Sequence, residues 1–283
     1  MPHLILAALG LLAAGSAAAE PARLPGIAGA DDRQIVSARE YPWSAVGRLN
    51  TRIGQRCTGT LVAPDRVATA AHCLFNRRTG QPLRPEAVHF LAGYARGEWA
   101  ATAAAVAIRR GTDGPPGDPA ADWAIVTLAR PIGREVGWIA PADPGPAAEA
   151  GVLRAGYGQD RAHLPMAVLG CEVRPAAGGR PLLAHNCDAV RGDSGSPLLR
   201  IEGGRVVLIG IHSGHARRAA GPVGVAVSAA VLRAAGTDWP ESRPPTAAGL
   251  DPRPTATVRD LARRTGRPAP APSLEALARL LRP

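Results

Sequence analysis

The chain has 283 residues, with 33 basic residues against 23 acidic ones and a formal net charge of +10. All of the basic residues are arginine, and aromatic residues make up only 4% of the chain. The arginines are not interleaved with aromatic side chains, as a platform for stacking nucleic-acid bases would require. The composition therefore argues against a nucleic-acid partner, and the length suffices for one large all-β domain or two smaller ones.

Residues 1–19 (MPHLILAALGLLAAGSAAA) have the pattern of a secretory signal peptide. Their apolar run is too short to span a bilayer. Ala17 and Ala19 stand in the A-x-A arrangement that signal peptidase accepts. We expect cleavage before Glu20 and a mature chain that is secreted or periplasmic, with no membrane span.

Four cysteines fit an oxidising compartment, in which disulfides form and persist. Three pairings are possible. The two most local ones, Cys57–Cys73 and Cys171–Cys187, would each close a loop of 15–17 residues. By a chain-entropy estimate, each bridge would contribute about 3 kcal/mol. A metal site formed by Cys171, His185 and Cys187 is the competing interpretation, but no Cys-x-x-Cys pair supports it. We expect neither a metal nor a cofactor.

The chain divides by composition. Residues 20–42 form a polar leader, a possible propeptide that contains the mature N-terminus. From 43 to 235, short β-type runs such as TGTLVA and RVVLIGIH alternate with Gly, Pro and Asn. That spacing predicts a sandwich or barrel rather than alternating strands and helices. The loop 141–151 (PADPGPAAEAG) is the predicted seam between two subdomains.

A short helix and a tail are predicted after the β region. Residues 228–236 (SAAVLRAAG) fit one helix with Ser228 as its cap and Gly236 as its stop. Residues 236–283 are rich in proline and arginine, so we expect a largely disordered tail. Within this tail, residues 273–281 (SLEALARLL) have the pattern of a short amphipathic helix.

A serine lies between two glycines in the segment RGDSGSPLLR, residues 191–200. Hydrolysis of a peptide bond by a serine requires an imidazole to take its proton and a carboxylate to orient that imidazole. It also requires donors for the oxyanion. Glycine lets the backbone turn tightly and present its amides, so Gly192 and Ser194 are the natural donors. The alternative interpretation is a tight turn that leads into a strand.

Two further segments contain an imidazole and a carboxylate. His72 lies beside a cysteine in TAAHC, and Asp122 stands at the entry of an apolar strand in ADWAIVTL. In the order His, Asp, Ser, these segments resemble the trypsin/chymotrypsin family of serine proteases, over about residues 27–235. Asp113 and Asp118 are rival carboxylates, but they lie in a Gly/Pro-rich loop with no strand after them.

The resemblance implies an exported serine endopeptidase. His72 would be the general base, Asp122 its orienting carboxylate, and Ser194 the nucleophile that forms an acyl-enzyme. The implied fold is all-β, with two six-stranded antiparallel β-barrels, a short C-terminal helix and the three residues in the cleft between the barrels. It also implies a Cys57–Cys73 bridge beside His72.

Protein or peptide substrates would be the partners of the chain, which we expect to be a monomer. The alternative function is a catalytically silent binding module on the same scaffold.

The preference for the residue before the scissile bond is left open. The resemblance gives four candidate pocket residues: Asp188, His212, Ser213 and Gly214. Asp188 stands where trypsin has its pocket acid, which would favour Arg or Lys substrates. His212 stands where bacterial glutamyl endopeptidases have a histidine that receives a substrate carboxylate. The leader, IAGADDR followed by YPWSAVGRL, is also similar to theirs, although Ala189 replaces a threonine that is common in them.

The resemblance also suggests a route of activation. Trypsin-like zymogens mature when a new α-amino group pairs with the acid before the serine, which is Asp193 here. Ile27 matches the glutamyl-endopeptidase leader, whereas Ile35 matches the start of trypsin only loosely. We expect removal of residues 20–26 after export, followed by pairing of Ile27 with Asp193. Alternatively, Asp193 only orients the turn.

Overall fold

The computed structural model describes residues 24–145, 148–218, 221–236, 238–246 and 250. The predicted signal peptide and the predicted helix at 273–281 lie outside these residues. No helix in the described ranges is long and apolar enough to cross a membrane.

A two-residue strand, β1 (Gln34–Ile35), precedes the first β-barrel. The barrel strands are β2 (Val46–Thr51), β3 (Arg56–Ala63), β4 (Arg66–Thr69), β5 (Val88–Ala92), β6 (Ala101–Arg110) and β7 (Ala124–Leu128). They close in the order β2-β3-β4-β7-β6-β5, and each pair of neighbours is antiparallel. β5 alternates buried and half-buried residues, as expected of a strand with one face in a core.

The second barrel follows a connection that contains the short helix α1 (Gly133–Val136). Its strands are β8 (Glu149–Gly156), β9 (Met166–Pro175), β10 (Leu182–His185), β11 (Pro197–Glu202), β12 (Arg205–Arg218) and β13 (Gly221–Ser228). β8 pairs with both β9 and β11, which closes the order β8-β9-β10-β13-β12-β11. β1 pairs antiparallel with Met166 and Ala167 at the start of β9. The predicted fold of two six-stranded antiparallel barrels is confirmed.

The core consists mainly of alanine, valine, leucine and isoleucine, because the chain has few aromatic residues to place there. Trp43 and Phe90 are the largest aromatic side chains that are fully buried. Side chains of this kind are excluded from water on folding, and their burial is the main favourable term in stability.

The helix α2 (Ala230–Ala235) follows β13 and is the predicted short C-terminal helix. The Ser228 hydroxyl accepts a hydrogen bond from the Ala230 amide at 3.2 Å, and the Gly236 amide donates to the Leu232 carbonyl at 3.0 Å. The helix therefore begins and ends beside the residues that the sequence indicated for its cap and its stop.

Residues 238–246, within the segment expected to be a largely disordered tail, have a defined position on the protein. Residues 238–246 lie against the first barrel and the connection between the barrels. Trp138 and Arg243 exchange two backbone hydrogen bonds, at 2.9 and 3.0 Å. The Arg66 guanidinium lies 4.9 Å from the Trp239 ring centroid. Aromatic contacts and backbone pairing stabilise a stretch that composition alone marked as disordered.

Both predicted local disulfides are present, and each joins cysteines 16 residues apart. The Cys57–Cys73 bridge ties β3 to the turn that carries His72, and the Cys171–Cys187 bridge ties β9 to the segment after β10. Because the sulfurs of Cys171 and Cys187 are joined to each other, the competing metal site with these ligands is wrong.

Replacement of Cys171 and Cys187 by alanine should lower the free energy of unfolding by about 3 kcal/mol, because the unfolded chain regains the entropy of the opened loop. Guanidinium denaturation measures this change. The Cys57→Ala/Cys73→Ala variant is the matched comparison, since its loop has the same length. Unchanged stability in both variants would contradict the expectation.

Candidate active site

His72 and Asp122 lie on two neighbouring loops of the first barrel. His72 belongs to the 3-10 turn Ala71–Leu74, which directly follows β4. Asp122 ends the 3-10 turn Pro119–Ala121, just before β7. Because β4 and β7 are paired strands, the two turns emerge side by side at the same edge of the barrel.

The Asp122 carboxylate binds His72 through both of its oxygens. Oδ1 accepts from the His72 backbone amide and Oδ2 from His72 Nδ1, each at 2.8 Å. The hydroxyl of Ser213 also donates to Oδ2. Burial alone would raise the pKa of Asp122, but the hydrogen bonds from His72 and Ser213 hold it below its usual value. The carboxylate is therefore ionised at neutral pH, and Nε2 is the ring nitrogen of His72 that stays available.

Ser194 lies in the turn between β10 and β11, beside the first barrel. Its carbonyl accepts a hydrogen bond from the Thr58 amide of β3 at 2.9 Å and lies 3.9 Å from Cys73 Sγ. The Thr58 hydroxyl donates to the Gly192 carbonyl at 3.2 Å and accepts from the Tyr157 amide at 2.9 Å. Thr58 thus connects this turn to both barrels, and Ser194 lies next to the disulfide that flanks His72.

The backbone amides of residues 192–195, which we call the serine turn, divide into two pairs. Those of Asp193 and Gly195 donate to backbone carbonyls at 3.0 and 2.8 Å. Those of Gly192 and Ser194 have no acceptor in the described ranges of the chain. The amides predicted as oxyanion donors are therefore the two that remain available.

The Ser194 side chain is half-buried and lines a cavity of about 590 Å³. His212, Gly214 and His215 lie on the wall of the same cavity, together with the leader residues 24–27. Among the described residues the Ser194 hydroxyl makes no hydrogen bond, and so its proton transfer to His72 stays a prediction. Such contacts are often long in the free state and shorten when substrate binds.

His212 and His215 line this cavity, and His185 lies behind His212. His185 Nε2 and His212 Nδ1 are 3.0 Å apart, and the His215 ring centroid lies 4.9 Å from that of His212. The His185 ring fits because residue 224 is glycine: a Cβ there would lie 2.0 Å from His185 Cε1. Nδ1 of His212 is thus engaged, and Nε2 is its remaining nitrogen.

The environment keeps these histidines neutral. Burial lowers the pKa values of His185 and His212 well below 6.5, and neighbouring histidines and Arg154 lower them further. The His215 ring lies partly in solvent, and partial burial and the charge of Arg154 lower its pKa as well. A neutral His212 in a buried wall can donate one hydrogen bond or take up one proton.

Asp188 has little freedom to act as a pocket acid, because the leader occupies both of its oxygens. Oδ1 accepts from the Ala28 amide at 2.8 Å and Oδ2 from the Asp32 amide at 3.2 Å. The side chain is buried. Burial, together with the charge of Asp188, raises the pKa of Asp32 to about 7. The two carboxylates therefore interact with each other and with the leader, which favours the interpretation of Asp188 as a structural group.

Asp193 is paired with an arginine. Its Oδ2 accepts from Arg154 Nη2 at 3.1 Å and from the Val190 amide at 2.8 Å. Ile27 lies within the chain, and its amide donates to the Leu24 carbonyl at 3.1 Å. The expected pairing of Asp193 with a new α-amino group at Ile27 stays a prediction.

Three residues that contact the site are missing from the sequence-based set: Thr58, Arg154 and His185. Each one acts through a partner far along the chain, at a separation of 134 residues for Thr58–Gly192 and 39 for Arg154–Asp193. A lone arginine inside the apolar strand β8 was the one available signal, because a buried charge requires a partner.

Comparison with known proteins places the chain in a family. A sequence model of the Trypsin family matches residues 32–235. The chain belongs to this family of serine proteases.

Its relatives include glutamyl endopeptidases. The glutamyl endopeptidase of Bacillus licheniformis is 27% identical over 140 residues, which are 44% of this chain and 39% of that protein. The aligned region thus spans well under half of the length of that relative. Two solved structures have the same fold. A Glu endopeptidase in complex with MPD has a TM-score of 0.59 at 19% identity, over 72% of this chain and 93% of its own. A thermostable serine protease from an extremophilic microorganism has a TM-score of 0.54 at 20% identity, over 67% and 94%.

Replacement of Gly195 by alanine should distort the serine turn. Gly195 has a φ of +84°, and a Cβ there would lie 2.2 Å from the Thr58 carbonyl oxygen. We expect the free energy of unfolding to fall by roughly 2–3 kcal/mol, from backbone strain and displaced neighbours. Gly114→Ala is the control, since its Cβ would meet no atom within 4 Å. Equal stability of the two variants, measured by denaturant unfolding, would contradict this account of the turn.

Proposed function

We propose that this protein is an exported serine endopeptidase that cleaves peptide bonds through an acyl-enzyme on Ser194. The observation that carries the proposal is the Asp122 carboxylate, which binds both the backbone amide and Nδ1 of His72 at 2.8 Å. This arrangement fixes the ring so that Nε2 is the nitrogen able to accept a proton.

In the first step, His72 takes the hydroxyl proton of Ser194 as the oxygen attacks the carbonyl carbon of the scissile bond. The protonated ring is stabilised by Asp122, whose ionised state is favoured by its hydrogen bonds. Negative charge that develops on the carbonyl oxygen is received by the free amides of Gly192 and Ser194. His72 then gives its proton to the leaving amine, and water releases the acyl group by the reverse sequence of transfers.

We further propose that the protein prefers an acidic residue before the scissile bond. His212 lies on the cavity wall with Ser194, whereas both oxygens of Asp188 are held by leader amides. A substrate carboxylate in the cavity would lie beside histidines. The carboxylate of Asp188 would not bind a substrate cation there, because leader amides occupy both of its oxygens. The family relationship to glutamyl endopeptidases supports the same preference.

Export is supported by the two disulfides, since such bonds persist in oxidising compartments. We also propose that residues 1–19 are a signal peptide, that the substrates are proteins or peptides, and that the mature chain is a monomer.

Ser194→Ala should abolish both peptide hydrolysis and labelling by an organophosphonate, with a loss of kcat of about 10⁶-fold. Ser37→Ala is the matched control, because Ser37 lines a different surface cavity. A wild-type protein that is folded but unreactive towards both probes would favour the silent binding module and overturn the proposal.

The preference for glutamate should weaken as the pH rises. Burial lowers the pKa of His212 well below 6.5, so its ring is neutral at neutral pH in the absence of substrate. A bound substrate carboxylate favours the protonated ring, and its binding is therefore accompanied by uptake of one proton by His212. Proton uptake becomes less favourable with increasing pH, by up to a factor of ten for each unit. We therefore expect the ratio of kcat/KM for Glu over Gln substrates to fall between pH 6 and pH 9. The ratio cancels any pH dependence of the chemical steps, because both substrates share those steps.

The matched variants are His212→Leu, which should remove the discrimination between Glu and Gln, and His89→Leu, which should retain it. His89 is half-buried on β5 of the first barrel and does not line the cavity with Ser194. Faster cleavage after Arg or Lys in a peptide library would overturn the proposed preference and leave the proposed endopeptidase intact.

A further inference from the structure

Two exposed arginines lie beside the serine turn and have no acidic partner. Arg56 is the first residue of β3, and Arg191 directly precedes Gly192. No ion pair within the described ranges includes either guanidinium. By contrast, Arg33 and Arg154 each bind a carboxylate, at 2.8 and 3.1 Å. The charges of Arg56 and Arg191 are therefore available to a ligand.

Arg56 projects towards the serine turn. Residues 56–58 pair with residues 48–50 of β2 in unbroken register, so side chains alternate between the two faces of β3 here. Arg56 and Thr58 therefore project from the same face, about 7 Å apart along the strand. The Thr58 hydroxyl on that face donates to the Gly192 carbonyl at 3.2 Å. The Arg56 side chain thus starts on the side of β3 that adjoins the serine turn.

Arg191 adjoins the same turn from the second barrel. Its carbonyl accepts a hydrogen bond from the Gln159 amide at 2.6 Å, which fixes the backbone from which its side chain extends. The side chain lies on the rim of the cavity that Ser194 lines. Asp160, the residue after Gln159, is already bound to Arg33 at 2.8 Å. Arg191 therefore places an unpaired positive charge next to an oxyanion donor.

Both arginines lie on the side of the site from which the leaving chain departs. In the proposed mechanism His72 gives its proton to the leaving amine, so the residues after the scissile bond pass beside His72. Cys73 follows His72 and is bonded to Cys57, which follows Arg56. The leaving chain therefore runs along the disulfide, with Arg56 on the first-barrel side and Arg191 on the second-barrel side.

The exposed face beside Arg56 is basic as well. The Arg77 amide donates to the Gln55 side chain at 3.2 Å, which places the loop after His72 beside the start of β3. Residues 51–57 and 73–87 carry one exposed acid, Glu86, and five exposed arginines: Arg52, Arg56, Arg77, Arg78 and Arg84. A surface of one sign attracts an oppositely charged chain before contact, and salt weakens the attraction. An acidic peptide would therefore be drawn to this side of the cleft.

We propose that Arg56 and Arg191 form a basic subsite that binds an acidic side chain at the first or second position after the scissile bond. The inference rests on the proposed endopeptidase function and extends it to the leaving part of the substrate. One carboxylate would contact two guanidinium groups, one from each barrel, and guanidinium matches carboxylate geometry. Because both arginines are exposed, each contributes a factor of a few rather than orders of magnitude.

Peptides that differ only after the scissile bond test the subsite. Each peptide keeps the same residue before the bond and carries Glu or Gln at the first, second or third position after it. We expect kcat/KM to be about three- to tenfold higher for Glu than for Gln at the first or second position at low ionic strength. The ratio should approach one in 1 M NaCl, where screening acts over about 3 Å. A ratio of one or less at both positions at low salt would overturn the proposal.

Substitutions show whether these two arginines carry the preference. Arg56→Gln and Arg191→Gln should each lower the Glu/Gln ratio about two- to threefold, and the double variant should remove the preference. Arg134→Gln is the matched control and should retain the ratio, because Arg134 on α1 is exposed and lies outside the cavity with Ser194. A double variant with the wild-type ratio would refute the subsite. So would an Arg191→Gln variant in which only the preference before the scissile bond changes.

Binding gives a readout that needs no turnover. Fluorescence anisotropy measures the affinity of the Ser194→Ala protein for fluorescein-labelled forms of the same Glu and Gln peptides. The Glu peptide should bind more tightly, and the difference should disappear when Arg56→Gln and Arg191→Gln are added. Should the wild-type protein cleave no peptide, the proposed function would fail, and this difference would still support the basic subsite. Equal affinities for the two peptides would refute the subsite by itself.

Discussion

The conformation of the serine turn depends on hydrogen bonds from residues outside it, and the rest of the site depends on that conformation. The turn is rich in glycine, and its only large polar side chain, Asp193, points into the protein. Thr58 of the first barrel binds the carbonyls of Gly192 and Ser194, and Arg154 of the second barrel binds Asp193. Because both barrels contribute, the turn is defined only where they meet. That requirement explains why the site lies in the cleft and not within either barrel.

The buried carboxylates at the site are all hydrogen-bonded, whereas the buried histidines near Ser194 have no charged partner. Asp122 binds His72 and Ser213, Asp193 binds Arg154, and Asp188 binds two backbone amides. The buried histidines His185 and His212 have no carboxylate partner, and burial lowers their pKa values. A substrate carboxylate would be the missing partner, which connects the polarity of the cavity to the proposed preference.

Features that lie in short contiguous segments could be predicted from the sequence. Both disulfides join cysteines only 16 residues apart, and His72, Asp122 and Ser194 were singled out from the segments around them for the roles proposed above. The short apolar runs predicted a sandwich or barrel, and the family resemblance implied the two six-stranded barrels. Ser228 and Gly236 predicted the ends of α2 by the same local logic.

Prediction failed where the partner is distant. Nothing near Asp188 reveals that leader amides 156 and 160 residues away bind its oxygens. The position of residues 238–246 was not predicted, because a proline-rich composition is also compatible with an extended segment that packs on the protein surface, here on Trp138 and Arg66. His185 gives no local sign of its contact with His212, and the arginine within the apolar strand β8 indicates a partner without indicating that the partner is Asp193. These contacts depend on tertiary packing, which no local pattern encodes.

The segment 238–246 crosses from the end of the second barrel to Arg66 of the first and to Trp138 of the connection. It therefore joins the second barrel to the first and also packs on the connection between them. Hinge opening of the cleft would have to break this bridge. Under the proposed function, a peptide would meet a preformed slot, and discrimination between peptides would arise from their fit to its walls rather than from closure around them.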